Sequence, residues 1–377
     1  MPKKTEEELV ELANEGKIVG FTLDTTEFHH AGYNYQAKSL KALSQFADTA
    51  IEVVFSEVVL NEVHAHVRDD IKGKAEQARS KLRQVIKAIR LTHDVDQVLN
   101  DLGISVDASD RSNDLLGNYV KAIGAERILV DDAITVRQLH DLYFSSQAPF
   151  SNKADKKSEF PDAIALLSLE HWASQKGGYV LAVSNDGDWL KFAEKSDHLI
   201  CVSQLAGALN LFNRDDAVVA ARLAANFASG AAQKLRNWVE QELERAVEIF
   251  DVEASAPYFY SSEDEYAIVD YWELENERFD VLASDSGSVT VAFNVLAKAT
   301  FHASFSFEVR DSIDKDYISI GGTRAAISEE FSIQIVVTIS RDDADADPEI
   351  IELEADGATL AVDFGYVEVD YGDDRDD

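Results

Sequence analysis

Uninterrupted apolar runs alternate with helical patterns along the first 212 residues of the chain. Four runs of apolar or small residues predict strands that are covered on both faces, at 18–23 (IVGFTL), 51–55 (IEVVF), 179–183 (YVLAV) and 198–202 (HLICV). A segment with helical spacing follows each run, and this βαβα order favours a parallel, doubly wound sheet. We therefore predict an α/β fold for this part of the chain.

A long, mostly helical insertion, about residues 57–148, separates the second and third predicted strands. Its helical period is clearest between residues 82 and 89, where apolar side chains recur three or four positions apart. The segment that follows, 149–157, is polar and predicts a loop.

The pattern changes beyond residue 212. Residues 214–250 predict one long helix, and from about residue 256 apolar and polar residues alternate as in half-buried antiparallel strands. The SDSG and IGG segments predict turns between these strands. The predicted parts are an α/β domain over 1–212, a linking helix over 213–252 and an acidic, antiparallel all-β domain over 253–377.

The net charge of −35 argues against a nucleic-acid partner, but the charge is unevenly distributed. Residues 1–212 carry 23 Lys and Arg against 32 Asp and Glu, whereas residues 213–377 carry 12 against 38. Within residues 68–90 there are eight basic and three acidic side chains. This stretch predicts a basic helix face, which is also typical of an ordinary solvated surface.

The single cysteine, Cys201, excludes an internal disulfide bond and a cysteine-rich zinc site. No apolar segment approaches the roughly 18 residues that a membrane span requires. The first 16 residues are typical of an amphipathic helix rather than of a signal peptide. These features predict a cytoplasmic protein with no membrane partner.

Acidic residues lie at or near the ends of several predicted strands. Asp24 ends the first run, Glu62 lies in the second turn of the helix after the second run, and Asp186 and Asp188 follow the third. Asp162 lies in the first turn of the helix that precedes the third run. Because the functional crevice of a doubly wound sheet lies at the carboxyl ends of its strands, we expect these carboxylates to meet there.

Carboxylates at one edge of a sheet repel one another and raise one another's pKa values, and a divalent cation relieves that repulsion. Mg²⁺ and Mn²⁺ accept hard oxygen ligands of this kind. Each residue alone has a simpler interpretation, with Asp24 and Asp186 as helix caps and Asp162 as a first-turn residue that favours the helix dipole. Their combination favours a metal site.

Four motifs in this order, LDTTEF, VVFSEVVLNEV, EFPDAIALLSLEHW and VLAVSNDGDWLKF, resemble those of the PIN-domain nuclease superfamily. The resemblance covers roughly residues 17–212. It implies a PIN-like fold and an endoribonuclease that uses Mg²⁺ or Mn²⁺ to hydrolyse phosphodiester bonds of single-stranded RNA. The site residues that it implies are Asp24, Glu62, Asp162 and Asp186 as catalytic metal ligands, Asp188 as a further ligand or support, and Ser184 and Thr25 as supporting residues.

The basic stretch and the lysines before Asp162 are candidate contacts to nucleic acid. These candidates are Arg68, Lys72, Arg79, Arg83, Lys156 and Lys157. His66 lies one turn beyond Glu62 and could reach the site, although an ordinary surface role is the favoured interpretation.

Family analogy suggests a toxin or defence effector whose C-terminal domain controls it by binding a regulatory protein or by self-association. The aromatic and acidic stretch 258–280 predicts a packing or protein-binding surface, because its acidic side chains would repel phosphates. The alternatives are a flap-type, structure-specific DNA nuclease and a non-catalytic PIN-like scaffold that binds protein.

Overall fold

The structure of the protein is a computed structural model that describes residues 4–90, 94–131, 134–150, 159–310, 317–341 and 347–370. The chain divides into two compact units, Met1–Phe212 and Asn213–Asp377. Among the described residues, no helix is both long and apolar enough to cross a membrane.

A five-stranded, all-parallel sheet forms the centre of the first unit, which confirms the predicted doubly wound α/β fold. Its strand order is β3-β2-β1-β4-β5. The strands are β1 (Ile18–Leu23), β2 (Glu52–Ser56), β3 (Glu126–Ile128), β4 (Tyr179–Val183) and β5 (Leu199–Val202). Strand β3 lies inside the insertion that was predicted to be mostly helical. It has no apolar run, because two of its three residues are charged and only Ile128 is apolar and buried.

Helices surround this sheet. They are α1 (Glu6–Asn14), α2 (Thr25–His30), α3 (Lys38–Lys41), α4 (Glu57–Ala88), α5 (Val95–Asp101), α6 (Ala108–Ala122), α7 (Val136–Ser145), α8 (Phe160–Lys176), α9 (Gly187–Ala193) and α10 (Leu205–Asn210), with a 3-10 helix at Ala42–Phe46. Helix α4 buries side chains only within its first three turns, and Val85 near its far end is half exposed. The predicted loop 149–157 lies mostly outside the described residues.

A glycine allows α8 to lie close against the central strand. A β-carbon at Gly20 of β1 would stand 2.6 Å from the Trp172 ring and 2.9 Å from Val180 of β4. Residue 20 must therefore lack a side chain if Trp172 is to cover β1. Since α8 also carries Asp162 in its first turn, this contact helps to place that carboxylate at the sheet.

The second unit has an antiparallel sheet of order β11-β10-β9-β7, with β8 also paired to β9, as predicted. A separate pair of strands, β6 and β12, is parallel. The elements are a 3-10 helix (Arg214–Asp216), α11 (Ala217–Ala228), α12 (Gln233–Ala246), β6 (Phe250–Ser255), β7 (Phe259–Leu274), β8 (Asp280–Ser284), β9 (Ser288–Arg310), β10 (Tyr317–Ser340), β11 (Ile350–Asp356) and β12 (Leu360–Tyr366).

The prediction of one long helix over 214–250 is wrong. Helix α11 ends at Ala228, and Gly230 takes a left-handed conformation with φ of +79° before α12 begins at Gln233. A left-handed glycine ends a helix without the steric strain that a side chain would bring. Both helices pack on the sheet, where Phe227 and Leu235 join the core around Phe293.

The prediction of a turn at the IGG segment is also wrong, because Ile320, Gly321 and Gly322 lie within β10. The pairing of β10 with β9 shifts register between Ser319 and Gly321. A β-carbon at Gly322 would stand 2.5 Å from the Phe305 carbonyl oxygen, so close strand approach requires glycine here. The SDSG segment does form the turn between β8 and β9.

Candidate active site

The carboxyl ends of β1 and β4 meet at the middle of the first sheet. Leu23 of β1 pairs with Val183 of β4, and the Asp24 amide donates a 3.0 Å hydrogen bond to the Val183 carbonyl. The strand order reverses at this point, since the chain leaves β1 for β2 on one side and β4 lies on the other. A switch of this kind opens a crevice at the carboxyl ends of the strands.

Asp24 caps α2 and joins the ends of the two strands. Its Oδ1 accepts from the Thr25 amide at 2.6 Å, and its Oδ2 accepts from the hydroxyls of Thr26 and Ser184, both at 2.8 Å. The side chain is buried, with 5 % of the residue exposed. Burial raises the pKa of this carboxyl in spite of the three donors, and the charge of Asp186 adds to the rise.

Ser184 connects Asp24 to the acidic segment after β4. The Ser184 hydroxyl accepts from the Asp186 amide at 3.0 Å while it donates to Asp24. Asp186 caps α9 by accepting from the Asp188 amide at 2.6 Å. The Asp188 carboxylate pairs with Lys191 at 2.8 Å, so its charge is directed to a lysine of its own helix.

Glu62 reaches the same edge from α4, which Ser56 caps directly at the end of β2. The Thr25 hydroxyl donates a 2.9 Å hydrogen bond to Glu62 Oε2. Burial raises the pKa of Glu62, and the negative charge of Asp24 raises it further. Thr25 therefore fixes the second carboxylate next to the first.

Asp162 completes the group from the first turn of α8. Its Oδ1 accepts a 2.9 Å hydrogen bond from the indole nitrogen of Trp189, which is fully buried. Burial raises the pKa of Asp162 to about 7, and the charges of Asp24, Asp186 and Glu62 contribute to the rise. Asp162 therefore lies close enough to the other three carboxylates for their charges to act on it.

The four carboxylates suit a hard divalent cation by their chemistry, because they are oxygen donors, one buried and three partly buried, whose charges repel one another. Their oxygens are nevertheless turned towards protein donors. Within the described part of the chain, no group of three or more His, Cys, Asp or Glu side chains is arranged to hold a metal ion. Coordination by this set would require at least some carboxylates to rotate away from their present hydrogen bonds.

A family model described as a PIN domain matches residues 22–189, a span that includes all four carboxylates. The first unit is a PIN domain. PIN domains form a superfamily of nucleases that generally use divalent metals. Neither a curated protein nor a solved structure shows significant similarity to the chain.

The basic stretch of this PIN domain is partly neutralised. Arg68 pairs with Asp69 at 2.8 Å, and Arg79 pairs with Asp96 at 3.0 Å. Lys72 and Arg83 are exposed on α4. Lys156 and Lys157 lie outside the described residues. The positive charge available to a nucleic acid along α4 is therefore smaller than the count of basic residues suggests.

Two residues of the PIN domain donate hydrogen bonds to site carboxylates that the sequence did not reveal. The indole nitrogen of Trp189 donates to Asp162, and the hydroxyl of Thr26 donates to Asp24. Glu27 is a further buried carboxylate, and its Oε1 lies 3.5 Å from the ring of His30. The adjacent Thr residues after Asp24 were the available signal, since hydroxyls commonly bond nearby carboxylates.

Proposed function

We propose that the PIN domain is a metal-dependent endoribonuclease that uses Mg²⁺ or Mn²⁺ to hydrolyse phosphodiester bonds in single-stranded RNA. The observation that carries this proposal is the convergence of Asp24, Glu62, Asp162 and Asp186 at the switch point of the sheet, each from the first turns of a helix or its cap. The pKa values of Asp24, Glu62 and Asp162 are all raised there. Buried charges of one sign are unfavourable for folding. Their presence together in a family of nucleases supports a catalytic role.

The residues that would hold the ion are these four carboxylates, and Asp188 is a weaker candidate because it pairs with Lys191. At such a site Mg²⁺ or Mn²⁺ supplies activation of water for in-line attack and neutralisation of charge on the phosphate. In the metal-free site the hydroxyls of Thr25, Thr26 and Ser184 orient Asp24 and Glu62, and some of these hydrogen bonds would give way to the ion. Without the ion Asp162 has a pKa of about 7, so the ion would displace its proton near neutral pH.

The test uses the full chain with end-labelled single-stranded RNA, single-stranded DNA and flapped DNA, each in Mn²⁺, Mg²⁺ or EDTA. We expect RNA cleavage that requires metal and leaves 5′-phosphate and 3′-hydroxyl ends. Asp24→Asn and Asp162→Asn should abolish it, while Asp197→Asn, at an exposed site of the same unit, should not. Preferred cleavage of flapped DNA would favour the alternative nuclease, and unchanged activity in both site variants would exclude a catalytic role for the carboxylates.

The toxin or defence role is proposed on family analogy alone. Its test is expression of the chain in bacterial cells beside the Asp24→Asn variant at equal protein level. Growth arrest with the unchanged chain and normal growth with the variant is the expected result. Equal growth of the two cultures would remove the toxin proposal without affecting the nuclease proposal.

We also propose that the second unit binds a basic protein. The proposed binding surface is the solvent-facing side of strands β7, β9 and β10, here called the outer face. Tyr266, Ile268 and Tyr271 on β7 are each about half exposed there. Acidic side chains outnumber basic ones on the outer face, with Glu263, Asp264, Asp270, Glu273, Glu308 and Glu330 against Lys298, Arg310 and Arg324. This charge disfavours nucleic acid and a second copy of the same face.

The partner proposal is tested by photo-crosslinking in cells that express the chain. The photo-reactive residue replaces Ile268 on the outer face, and in the control it replaces the exposed Val218. We expect a cross-link from position 268 to a protein with a basic segment, abolished when Asp270→Lys and Glu273→Lys are added. Cross-links between copies of the chain would instead indicate self-association. Equal cross-linking at both positions would exclude the outer face as a binding surface.

A further inference from the structure

Aromatic rings from two helices meet beside the carboxylates of the PIN domain. The rings of Tyr33, just beyond α2, and His66, on α4, stack with their centroids 5.6 Å apart and their planes at 22°. His29 stands edge-on to Tyr33, at 6.0 Å and 86°. His29 and His66 are exposed, and Tyr33 is half-buried. In this stack the Tyr33 ring is therefore the more buried of the two, and the His66 ring is exposed to solvent.

The backbone at Tyr33 is unusual. Gly32 and Tyr33 are both left-handed, with φ of +59° and +54°, and the Tyr33 amide donates to the Phe28 carbonyl at 2.8 Å. Glycine or asparagine occupies a left-handed position with less strain than a bulky aromatic residue. A strained residue is a reason to ask what its side chain does. Here the conformation directs the phenol ring onto His66.

This stack adjoins the proposed catalytic group. His66 lies one turn beyond Glu62 on α4, close enough for its side chain to lower the pKa of Glu62. The charge of Glu62 also contributes to a raised pKa of Tyr33, whose main cause is burial. Thr25 of α2 bonds Glu62 directly. A strand whose phosphate reached the carboxylates would thus pass these rings.

We infer that Tyr33 and His66 form a stacking platform on which a nucleobase of a single-stranded substrate is placed as the next ring, over the exposed face of His66. The inference rests on the proposed nuclease function and deepens it. Stacking requires an exposed base face, which an intact duplex does not offer. It tolerates any base, so the platform selects single strands by shape and positions the neighbouring phosphate.

The experiment compares the unchanged chain with His66→Ala, His66→Phe and the control His171→Ala, an exposed histidine of α8. Loss of one base stack should raise KM for single-stranded RNA about tenfold, with little change in kcat. His66→Phe should restore KM, and His171→Ala should not alter it. Tyr33→Ala should act like His66→Ala, and a circular dichroism spectrum checks that each variant is folded.

A series of oligonucleotides with one abasic site at successive positions locates the stacked base. In the unchanged chain, one position should raise KM about tenfold, and in His66→Ala that same position should have no further effect. The same series is measured as Kd by fluorescence anisotropy in EDTA, where cleavage is stopped. If the unchanged chain cleaves no substrate, the nuclease proposal fails. The Kd values from the anisotropy series still test whether a base stacks on the platform, because they do not depend on cleavage. Equal Kd or KM at all positions and in all variants would overturn the platform.

Discussion

The Asp162→Asn substitution should stabilise the protein at alkaline pH while it abolishes the proposed activity. Asp162 has a pKa of about 7 in the fold, because it is largely removed from solvent and lies near three other carboxylates. An unfolded aspartate has a pKa of about 3.9, and each unit of difference corresponds to about 1.4 kcal/mol. Asparagine removes the charge and retains an oxygen that can accept the hydrogen bond from Trp189.

The sign follows from proton linkage. Because its pKa is raised in the fold, the native state holds this proton more strongly than the unfolded chain does, so ionisation opposes folding. The loss of folding stability caused by Asp162 ionisation is absent below the unfolded pKa, grows as pH rises towards about 7, and is then constant. It amounts to about 2 kcal/mol at pH 5.5 and at most about 4 kcal/mol at pH 8. The difference in unfolding free energy between Asp162→Asn and the unchanged chain should therefore be about 2 kcal/mol larger at pH 8 than at pH 5.5.

The assay is urea unfolding in EDTA, followed by tryptophan fluorescence, at pH 5.5 and pH 8. Both values avoid the isoelectric point of about 4.5. Trp189 touches the substituted residue and Trp172 lies on the same unit, so both report on its unfolding. Asp197→Asn is the control and should show no pH-dependent difference from the unchanged chain. A difference for Asp162→Asn that does not grow with pH would refute the claim that burial and neighbouring charges raise this pKa.

Three further predictions follow from the same contacts. Ser184→Ala removes a donor to Asp24 and an acceptor for the Asp186 amide, and should lower the unfolding free energy by about 1–3 kcal/mol in urea; a change below about 0.5 kcal/mol would contradict the bridging role. Mn²⁺ at 100 times its Kd should stabilise the chain by about 2.7 kcal/mol in thermal unfolding, and Asp24→Asn should lose this gain; an equal gain in the variant would place the ion elsewhere. Trp189→Phe removes a hydrogen bond that lowers the pKa of Asp162, so in urea unfolding with EDTA the pH range over which Asp162 ionisation opposes folding should extend to higher pH; a shift to lower pH would contradict this.

The accuracy of the fold prediction followed the strength of the local pattern. Strands β1 and β4 begin and end as predicted, because each is a continuous apolar run buried on both faces. Strand β3 carries no such run, and only its pairing with β2 makes it a strand. The two wrong predictions in the second unit both involve glycine. One glycine ended a helix in a segment with continuous helical spacing, and the other lay within a strand at a register shift.

The site was predictable as a set of positions but not as a set of contacts. Strand ends and helix starts place carboxylates at one edge of a doubly wound sheet, and sequence is sufficient for that. The donors could not be predicted, because the Trp189–Asp162 contact spans 27 positions and the Thr25–Glu62 contact spans 37. Such pairs depend on the packing of helices against one another, which local spacing does not determine.

The hydrogen bonds of the site also explain why its carboxylates remain poorly compensated. Thr25, Thr26 and Ser184 direct four donors to Asp24 and Glu62, yet burial still raises the pKa of both carboxyls. A fold selected only for stability would place a cation among them or replace one by an apolar residue. Hydroxyl donors fix the direction of a carboxylate without neutralising its charge. The arrangement therefore retains negative potential in a crevice at some loss of stability, which is the condition expected where function and stability compete.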